Sequence, residues 1–285
     1  MKHFAPVSRR NFLNLGLIGG TALLAGPLPV AAASRSRGSG SPALKLGVAS
    51  YTFRKFTLDQ TLEMTRKAGL KYITLKDMHL PMKTTAAERA AVREKVQAAG
   101  ITLMGGGVIY FNNDEKQIRD SFVYVKEAGM PVMVCCPAPD ALDTVERMAR
   151  EFDILIAIHN HGPGDQRYPS PLDILELVRK RDRRMGICMD LGHTVRLGQD
   201  PVQVIRKCAE RLHDFHIKDV TQADAKGGPV PVGRGVIDIP AVLRALVGMR
   251  FPYHVALEYE AEGDAPLMGV VESVAYIRGV LAGLG

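Results

Sequence analysis

The sequence feature that most constrains the fold is a regular alternation of short apolar segments with amphipathic segments. Each apolar segment has the length of a strand, and each amphipathic segment repeats its apolar residues at helical spacing. The apolar segments begin near Lys45, Tyr72, Ile101, Pro131, Ile154, Met185, Leu212 and His254. Strands that alternate with helices form parallel sheets with right-handed crossovers. Eight such units predict an α/β protein built as one closed (β/α)8 TIM barrel over residues 43–285.

Helix-start signals support the amphipathic segments as helices. Thr57 and Gln60 have the spacing of a capping box, and Asn113 precedes two acids that suit a helix N-terminus. The other helices are predicted over Ala86–Ala98, Asp140–Glu151, Pro171–Lys180, Pro201–Glu210, Ile239–Val247 and Gly269–Ala282. An open doubly wound sheet is the alternative. No Gly-x-Gly-x-x-Gly motif opens the first strand–helix turn, however, and polar residues follow many strands, which favours the barrel.

Residues 1–33 have the pattern of a twin-arginine export signal. Arg9 and Arg10 precede an apolar stretch over residues 15–30, and three alanines follow at residues 31–33. The stretch contains glycines and prolines and is shorter than the roughly 20 residues of a membrane span. We therefore predict a cleaved signal and a periplasmic or otherwise exported protein without stable membrane insertion. A flexible linker rich in Ser, Gly and Arg is predicted over residues 34–42.

The basic excess of the chain lies mainly in these first 42 residues. The chain has 37 Lys+Arg against 30 Asp+Glu, which gives a net charge of +7. Five of the basic residues and none of the acidic ones precede Ala43, so the predicted barrel has a charge of only +2. No basic run with interleaved aromatic residues occurs in it, which argues against a nucleic-acid partner.

Polar side chains collect where the predicted strands end, which is where (β/α)8 barrels place their functional residues. Five of the seven histidines after the leader fall there, namely His79, His159, His161, His193 and His216. Asp190 ends the sixth strand and Glu258 ends the eighth. Two imidazoles and two carboxylates that converge from four strands predict a divalent metal site, with buried salt bridges as the alternative. Mixed N/O donors suit Mn²⁺, Co²⁺, Fe²⁺ or Zn²⁺ better than Ca²⁺.

Four segments of the chain resemble the xylose-isomerase-like TIM barrels, which include sugar isomerases, sugar epimerases and apurinic endonucleases. The segments are Cys188–His193, Phe215–Asp219, Gly233–Asp238 and Leu257–Glu258, and the resemblance extends from about Lys45 to the end. It implies one divalent metal ion, Mn²⁺ in first place, held by Asp190, His216 and Glu258. The family often has Glu-Asn-His at the first ligand position, whereas this chain has His159-Asn160-His161. His159 is therefore the expected fourth ligand.

The resemblance implies a sugar isomerase or epimerase that acts on a sugar or keto-sugar through an enediolate. The metal would chelate a carbonyl and a neighbouring hydroxyl, and Glu258 would remove the adjacent proton. His161 or Lys218 would be the second proton carrier. A lyase that eliminates the aglycone from 3-keto-glycosides is the first alternative, since the altered first ligand puts two-base epimerisation in question. A carbohydrate-binding barrel without turnover is the second alternative, and an apurinic endonuclease is the least favoured.

Further residues at the same rim are expected to contact the substrate. They are Lys76, His79, Tyr110, His193 and Arg234. Glu260 and Asp219 are expected to orient the histidine ligands, as neighbouring carboxylates do in many metal sites. Pairing is common in the family, so a homodimer is a further expectation.

Overall fold

The computed structural model describes residues 44–284, in which eight parallel strands close into a barrel. The barrel strands are β1 Lys45–Ala49, β2 Tyr72–Leu75, β3 Thr102–Phe111, β4 Val132–Pro137, β5 Leu155–His159, β6 Met185–Asp190, β7 Leu212–Ile217 and β10 His254–Leu257. Strands β8 Asp219–Val220 and β9 Pro229–Val230 form a separate antiparallel hairpin. The predicted (β/α)8 barrel is confirmed. The predicted export signal and linker lie outside the described residues and stay predictions.

Helices connect the strands and cover the outside of the barrel. They are α1 Leu58–Lys67, α2 Ala86–Ala98, α3 Glu115–Glu127, α4 Leu142–Phe152, α5 Pro171–Val178, α6 Leu191–Val195, α7 Pro201–Cys208, α8 Ile239–Gly248 and α9 Leu267–Leu284. The capping box of Thr57 and Gln60 is present at the start of α1. Helix α3 is capped by Asp114 rather than Asn113, because the Asp114 carboxylate accepts the backbone N–H groups of Lys116 and Gln117.

Strand register brings the carboxyl ends of β5, β6, β7 and β10 to one level. Asp190 lies beside His216 across the β6–β7 pair, and His216 lies beside Ala256 across the β7–β10 pair. His159 lies beside Cys188, two residues before Asp190. The last residues of these strands therefore meet at one rim, as the sequence pattern predicts.

The interior of the barrel is narrow and contains small side chains below that rim. Val132, Val134, Ala157 and Cys188 form a buried apolar cluster of their own. Ala157 and Cys188 share strand faces with His159 and Asp190, because side chains alternate along a strand. All four cysteines of the chain are buried and free. The charged rim thus lies above a layer of small side chains that also contains the buried carboxyl group of Asp214, whose Oδ1 is 4.0 Å from Cys188 Sγ.

Among the described residues, helix α9 is long and apolar enough to cross a membrane by length and composition alone. A core helix of a globular protein can have the same properties. Val270, Val274 and Ile277 of α9 are buried in the main apolar core, and the Ser273 hydroxyl accepts a hydrogen bond from the Val232 backbone N–H. One face of α9 is therefore part of the packed barrel.

Candidate metal and substrate site

Four donor atoms from four different strand ends converge at the carboxyl rim of the barrel. One ligand atom each from His159, Asp190, His216 and Glu258 lies within 4.8 Å of the other three. His216 Nδ1 is 3.1 Å from His159 Nε2, 3.2 Å from Glu258 Oε2 and 3.8 Å from Asp190 Oδ2. All four side chains are buried. The predicted metal ligands are therefore brought together.

The donors in this cluster fit a divalent cation. Burial holds the pKa of His159 well below its usual value, so the ring is neutral and offers a lone pair. Asp190 Oδ2 is fully buried and accepts no well-aligned hydrogen bond, although Lys218 Nζ lies 2.9 Å away. A carboxylate oxygen has two lone pairs, so one lysine contact leaves one for a cation. These four residues would hold a metal ion of the kind that accepts nitrogen and oxygen ligands.

Lys218 ties the carboxylates of the rim together. Its ammonium lies 2.9 Å from Asp190 Oδ2 and 2.9 Å from Glu258 Oε2, and it also contacts Glu260 Oε1. Burial opposes the charge on Lys218, but the three carboxylates outweigh that effect and hold its pKa well above the usual value. The side chain is only 5% exposed. Lys218 therefore acts as a fixed internal cation beside the cluster.

Glu258 is the carboxylate at the floor of an open pocket. Lys76 Nζ lies 3.2 Å from its Oε1, which accepts no hydrogen bond. Burial opposes ionisation of Glu258, but the charges of Lys218 and Lys76 together hold its pKa well below the usual value. The pocket has a volume of about 370 Å³. It is lined by Tyr51, Lys76, Asp77, Met78, Val108, Tyr110, His159, His161, His193, Glu258 and Glu260.

The other side of the pocket consists of neutral rings. Tyr110 at the end of β3 places its hydroxyl 2.9 Å from His161 Nε2, while His161 Nδ1 lies 3.8 Å from Asp165 Oδ2. Burial lowers the pKa of His161 and of His193, and burial raises the pKa of Tyr110. Carboxylates and the Lys76 ammonium thus occupy one side of the pocket, and imidazoles with a phenol occupy the other.

The segment after β6 positions both the cluster and Lys218. Asp190 caps the short helix α6, because its Oδ1 accepts the His193 backbone N–H at 2.8 Å. Its own backbone N–H donates to Asn160 Oδ1 at 2.8 Å. A Cβ atom on Gly192 would lie 2.7 Å from Cγ and Cδ of Lys218. The glycine therefore leaves the space through which Lys218 reaches the carboxylates.

Two of the predicted substrate contacts are placed elsewhere. His79 is 5% exposed, and its nitrogens contact Ser50 Oγ and Thr61 Oγ1, each at 2.9 Å. Arg234 pairs with Glu272 on an exposed surface and does not line the pocket. Lys76, Tyr110, His161 and His193 do line it. His79 and Arg234 follow the right strands, but their loops direct the side chains to other partners.

Asp219 stabilises the following loop rather than a histidine ligand. Its Oδ2 accepts the backbone N–H groups of Gly233 and Gly235, and its Oδ1 accepts those of Val220 and Ile237. A Cβ atom on Gly235 would lie 2.2 Å from Asp219 Oδ1, which is why this position is glycine. The expectation that Asp219 orients an imidazole is therefore wrong. The Glu260 carboxylate contacts Lys218 rather than a histidine, so the same expectation is wrong for Glu260 as well.

Sequence reasoning did not identify Asp77, Met78 and Val108, which line the pocket, or Ser50, which accepts the Lys76 backbone N–H at 2.8 Å. Asp77 and Met78 stand directly after Lys76, so their position after a strand was the available signal. Val108 lies inside a long apolar run and has no polar group to mark it.

The chain belongs to the Xylose isomerase-like TIM barrel family, whose model matches residues 62–280. It is similar to an inosose dehydratase of Clostridium beijerinckii, with 24% identity over 177 residues. That match covers 61% of this chain and 51% of the relative. The chain is also similar to the rhizopine catabolism protein MocC of Rhizobium meliloti, with 30% identity over 137 residues. This second match covers 43% of the chain and 41% of that protein. The chain thus matches about half the length, or less, of these curated relatives.

Solved structures share the fold at lower identity. A 3-keto-D-glucoside 4-epimerase from E. coli superposes with a TM-score of 0.69 at 16% identity, covering 83% of this chain and 100% of that one. A probable 3-DHS dehydratase from Bacillus anthracis superposes with a TM-score of 0.65 at 11% identity, covering 83% of this chain and 99% of that one. At these identities the likeness extends to the fold alone.

Proposed function

We propose that this protein is a lyase that removes a proton beside a ketone on a carbohydrate or polyol ring and expels an oxygen leaving group. The observation that carries the proposal is the two-sided pocket around Glu258. The ionised base Glu258 stands between two ammonium groups on one side, and neutral rings stand on the other. The similarity to an inosose dehydratase supports the same class of reaction.

Glu258 has the position and the charge state of the base. Its Oε2 faces the metal-ligand cluster, while Oε1 accepts no hydrogen bond and has the Lys76 ammonium 3.2 Å away, so Oε1 retains a lone pair that can take a proton. The electron pair of the broken C–H bond forms a C=C bond conjugated with the ketone, and the C–O bond to the leaving group breaks. The protonated Glu258 can return its proton to the departing oxygen, so one group serves as both base and acid.

The surrounding charges stabilise the developing negative oxygen. The Lys76 ammonium lines the pocket beside Glu258, where it can donate to an oxygen that gains charge. Tyr110 and His161 can bind substrate hydroxyl groups from the opposite side. A divalent cation held by His159, Asp190, His216 and Glu258 would polarise the ketone oxygen of the substrate. Lys218 keeps Glu258 ionised without lining the pocket.

Epimerisation is the second candidate, which the predicted role of His161 favours. It requires a group on the far face of the substrate to return the proton. His161 lines that side, since β5 and β10 are three strands apart around the barrel. Burial lowers the pKa of His161, however, so the ring is neutral and a weak acid. This arrangement is less suited to donating a proton than the Glu258 side.

Incubation of the Mn²⁺-supplemented protein with keto-sugars, keto-inositols and 3-keto-glucosides in D₂O tests the proposal. NMR of the lyase reaction should show an unsaturated ketone together with water or a free aglycone. Deuterium incorporation with a new stereoisomer and no elimination would overturn the lyase in favour of the epimerase. No exchange with any of these compounds would overturn both enzymatic proposals and favour a carbohydrate-binding barrel.

A further inference from the structure

A second cavity adjoins the pocket that contains Glu258. It has a volume of about 720 Å³ and lies between the loop after β2, the end of β3 and helix α3. Asp77, Val108 and Tyr110 line both cavities and form their common wall. The first pocket, at about 370 Å³, is of a size to enclose one sugar ring. The second cavity has about twice that volume and lies on the other side of that wall.

The common wall is built around an exposed aromatic side chain. Tyr110 is 54% exposed, yet its hydroxyl is held 2.9 Å from His161 Nε2 in the first pocket. An aromatic ring fixed at its hydroxyl and open on its faces is a packing surface for the apolar face of a pyranose. Met82, Val108 and Ile109 add further apolar surface to the second cavity.

The charges of the second cavity balance, which indicates a neutral ligand. Its cationic residues are Lys83, Arg89 and Lys116, and its anionic residues are Asp77, Asp114 and Asp120. A cavity that binds phosphate or another anion needs an excess of cations. Gln117 supplies a side-chain amide there as well, whereas the buried Ser121 hydroxyl donates to the Gln117 backbone carbonyl. Apolar surface next to many polar groups of both signs suits the hydroxyl groups of a sugar.

We propose that the second cavity binds the second pyranose ring of a two-ring glycoside whose ketone-bearing ring lies at Glu258. The inference rests on the proposed function for the identity of the reacting ring. It adds that the substrate has two rings. The glycosidic bond would cross the common wall beside Tyr110. The protein would then prefer a keto-disaccharide to a one-ring keto-glycoside.

Matched substrates and a cavity-filling variant test this preference. Methyl 3-keto-glucosides provide one ring, and 3-keto-cellobiose and 3-keto-maltose provide two, with proton exchange in D₂O as the readout. We expect kcat/KM to be at least tenfold higher for the two-ring member. Gln117 is exposed at the third position of α3, and Gln117→Trp should reduce the two-ring to one-ring ratio at least tenfold by filling the cavity. Gln203 occupies the same position in α7, away from both cavities, so Gln203→Trp should leave the ratio unchanged.

The outcomes separate this inference from the proposed function. Equal kcat/KM for one-ring and two-ring substrates in the unmodified protein would overturn the second-ring site while leaving the reaction intact. If Gln117→Trp lowers kcat/KM for one-ring and two-ring substrates by the same factor, the ratio does not change, and the second-ring site is also overturned. If none of the substrates exchanges, the proposed function fails, and thermal-shift titration still decides the site. Cellobiose or maltose should then raise Tm more than glucose at equal concentration, and equal shifts would overturn the inference.

Discussion

Buried histidines occur at both ends of the barrel strands, but their partners differ. His254 and His213 stand where strands begin, and each contacts one neutral group, Thr74 Oγ1 at 2.9 Å and the Ile156 carbonyl at 2.8 Å. His159 and His216 stand where strands end, among Asp190, Glu258 and Lys218. Both sets are almost inaccessible to solvent. Burial lowers the pKa of His159, His213 and His254 alike, so the difference between the two ends lies in the ionised groups that converge on the histidines of the carboxyl end.

Removal of the proposed base at the carboxyl rim should have the largest effect on the reaction. Glu258→Gln should lower substrate proton exchange by about 10³-fold, because the amide cannot accept a proton and general base catalysis contributes about 10²–10⁴-fold. Exchange is followed by NMR in D₂O. Glu272→Gln changes a partly exposed carboxylate outside the pocket and should keep full exchange. Retained turnover in Glu258→Gln would remove this residue from the role of base.

Metal affinity separates the two histidine sets directly. His216→Asn should weaken Mn²⁺ binding about 100-fold or more, since it removes one of four donors. His254→Asn should leave the affinity within about threefold, because His254 belongs to the other end of the strands. Titration with the metal alone, followed by calorimetry, measures both. Equal losses in the two variants would contradict the assignment of the metal site to the carboxyl rim.

The position of Lys218 depends on the absence of a side chain at residue 192. Gly192→Ala should lower kcat about tenfold, because the new Cβ would displace the lysine from the carboxylates. Gly279→Ala in α9 is the matched control, since a Cβ there meets nothing within 4 Å. The control should keep its activity and gain about 0.5–1 kcal/mol in stability from helix propensity. Unchanged kcat in Gly192→Ala would show that Lys218 need not hold its position.

The pH dependence of unfolding tests a buried histidine at the other end of the strands. Burial lowers the pKa of His254 to about 3 in the folded protein, against about 6.5 when unfolded. Below about pH 6.5 the unfolded chain therefore binds a proton that the folded chain does not. The contribution of neutral His254 to the free energy of unfolding is therefore complete above about pH 6.5. It falls by about 1.4 kcal/mol per pH unit toward pH 3.

His254→Gln should remove the contribution of this residue to the slope of the free energy of unfolding against pH. Urea unfolding between pH 4 and 7 measures that slope. Gln97→His, which adds a histidine at an exposed position of α2, should leave the slope unchanged, because an exposed imidazole has the same pKa folded and unfolded. An identical slope in the parent protein and His254→Gln would contradict the lowered pKa of His254.

Much of the fold and part of the site follow from the sequence because they depend on local patterns. Apolar runs separated by amphipathic segments predict the eight strands and their closure. Residues that end strands must meet at one rim of a parallel barrel, so Asp190, His216 and Glu258 were predictable as neighbours. The family motifs around them point to the same residues.

The partner that each rim side chain contacts depends on the tertiary structure and does not follow from the sequence pattern. Lys76 and Glu258 are far apart in sequence and form an ion pair because β1 alone separates their strands in the barrel. His79 and Arg234 follow the correct strands, yet their loops turn them toward Ser50 and Glu272. Tyr110 lines two cavities at once, which no periodicity in the sequence indicates. Strand periodicity is a local property of the chain, whereas a side-chain contact depends on loop conformations and on the packing of segments that are distant in sequence.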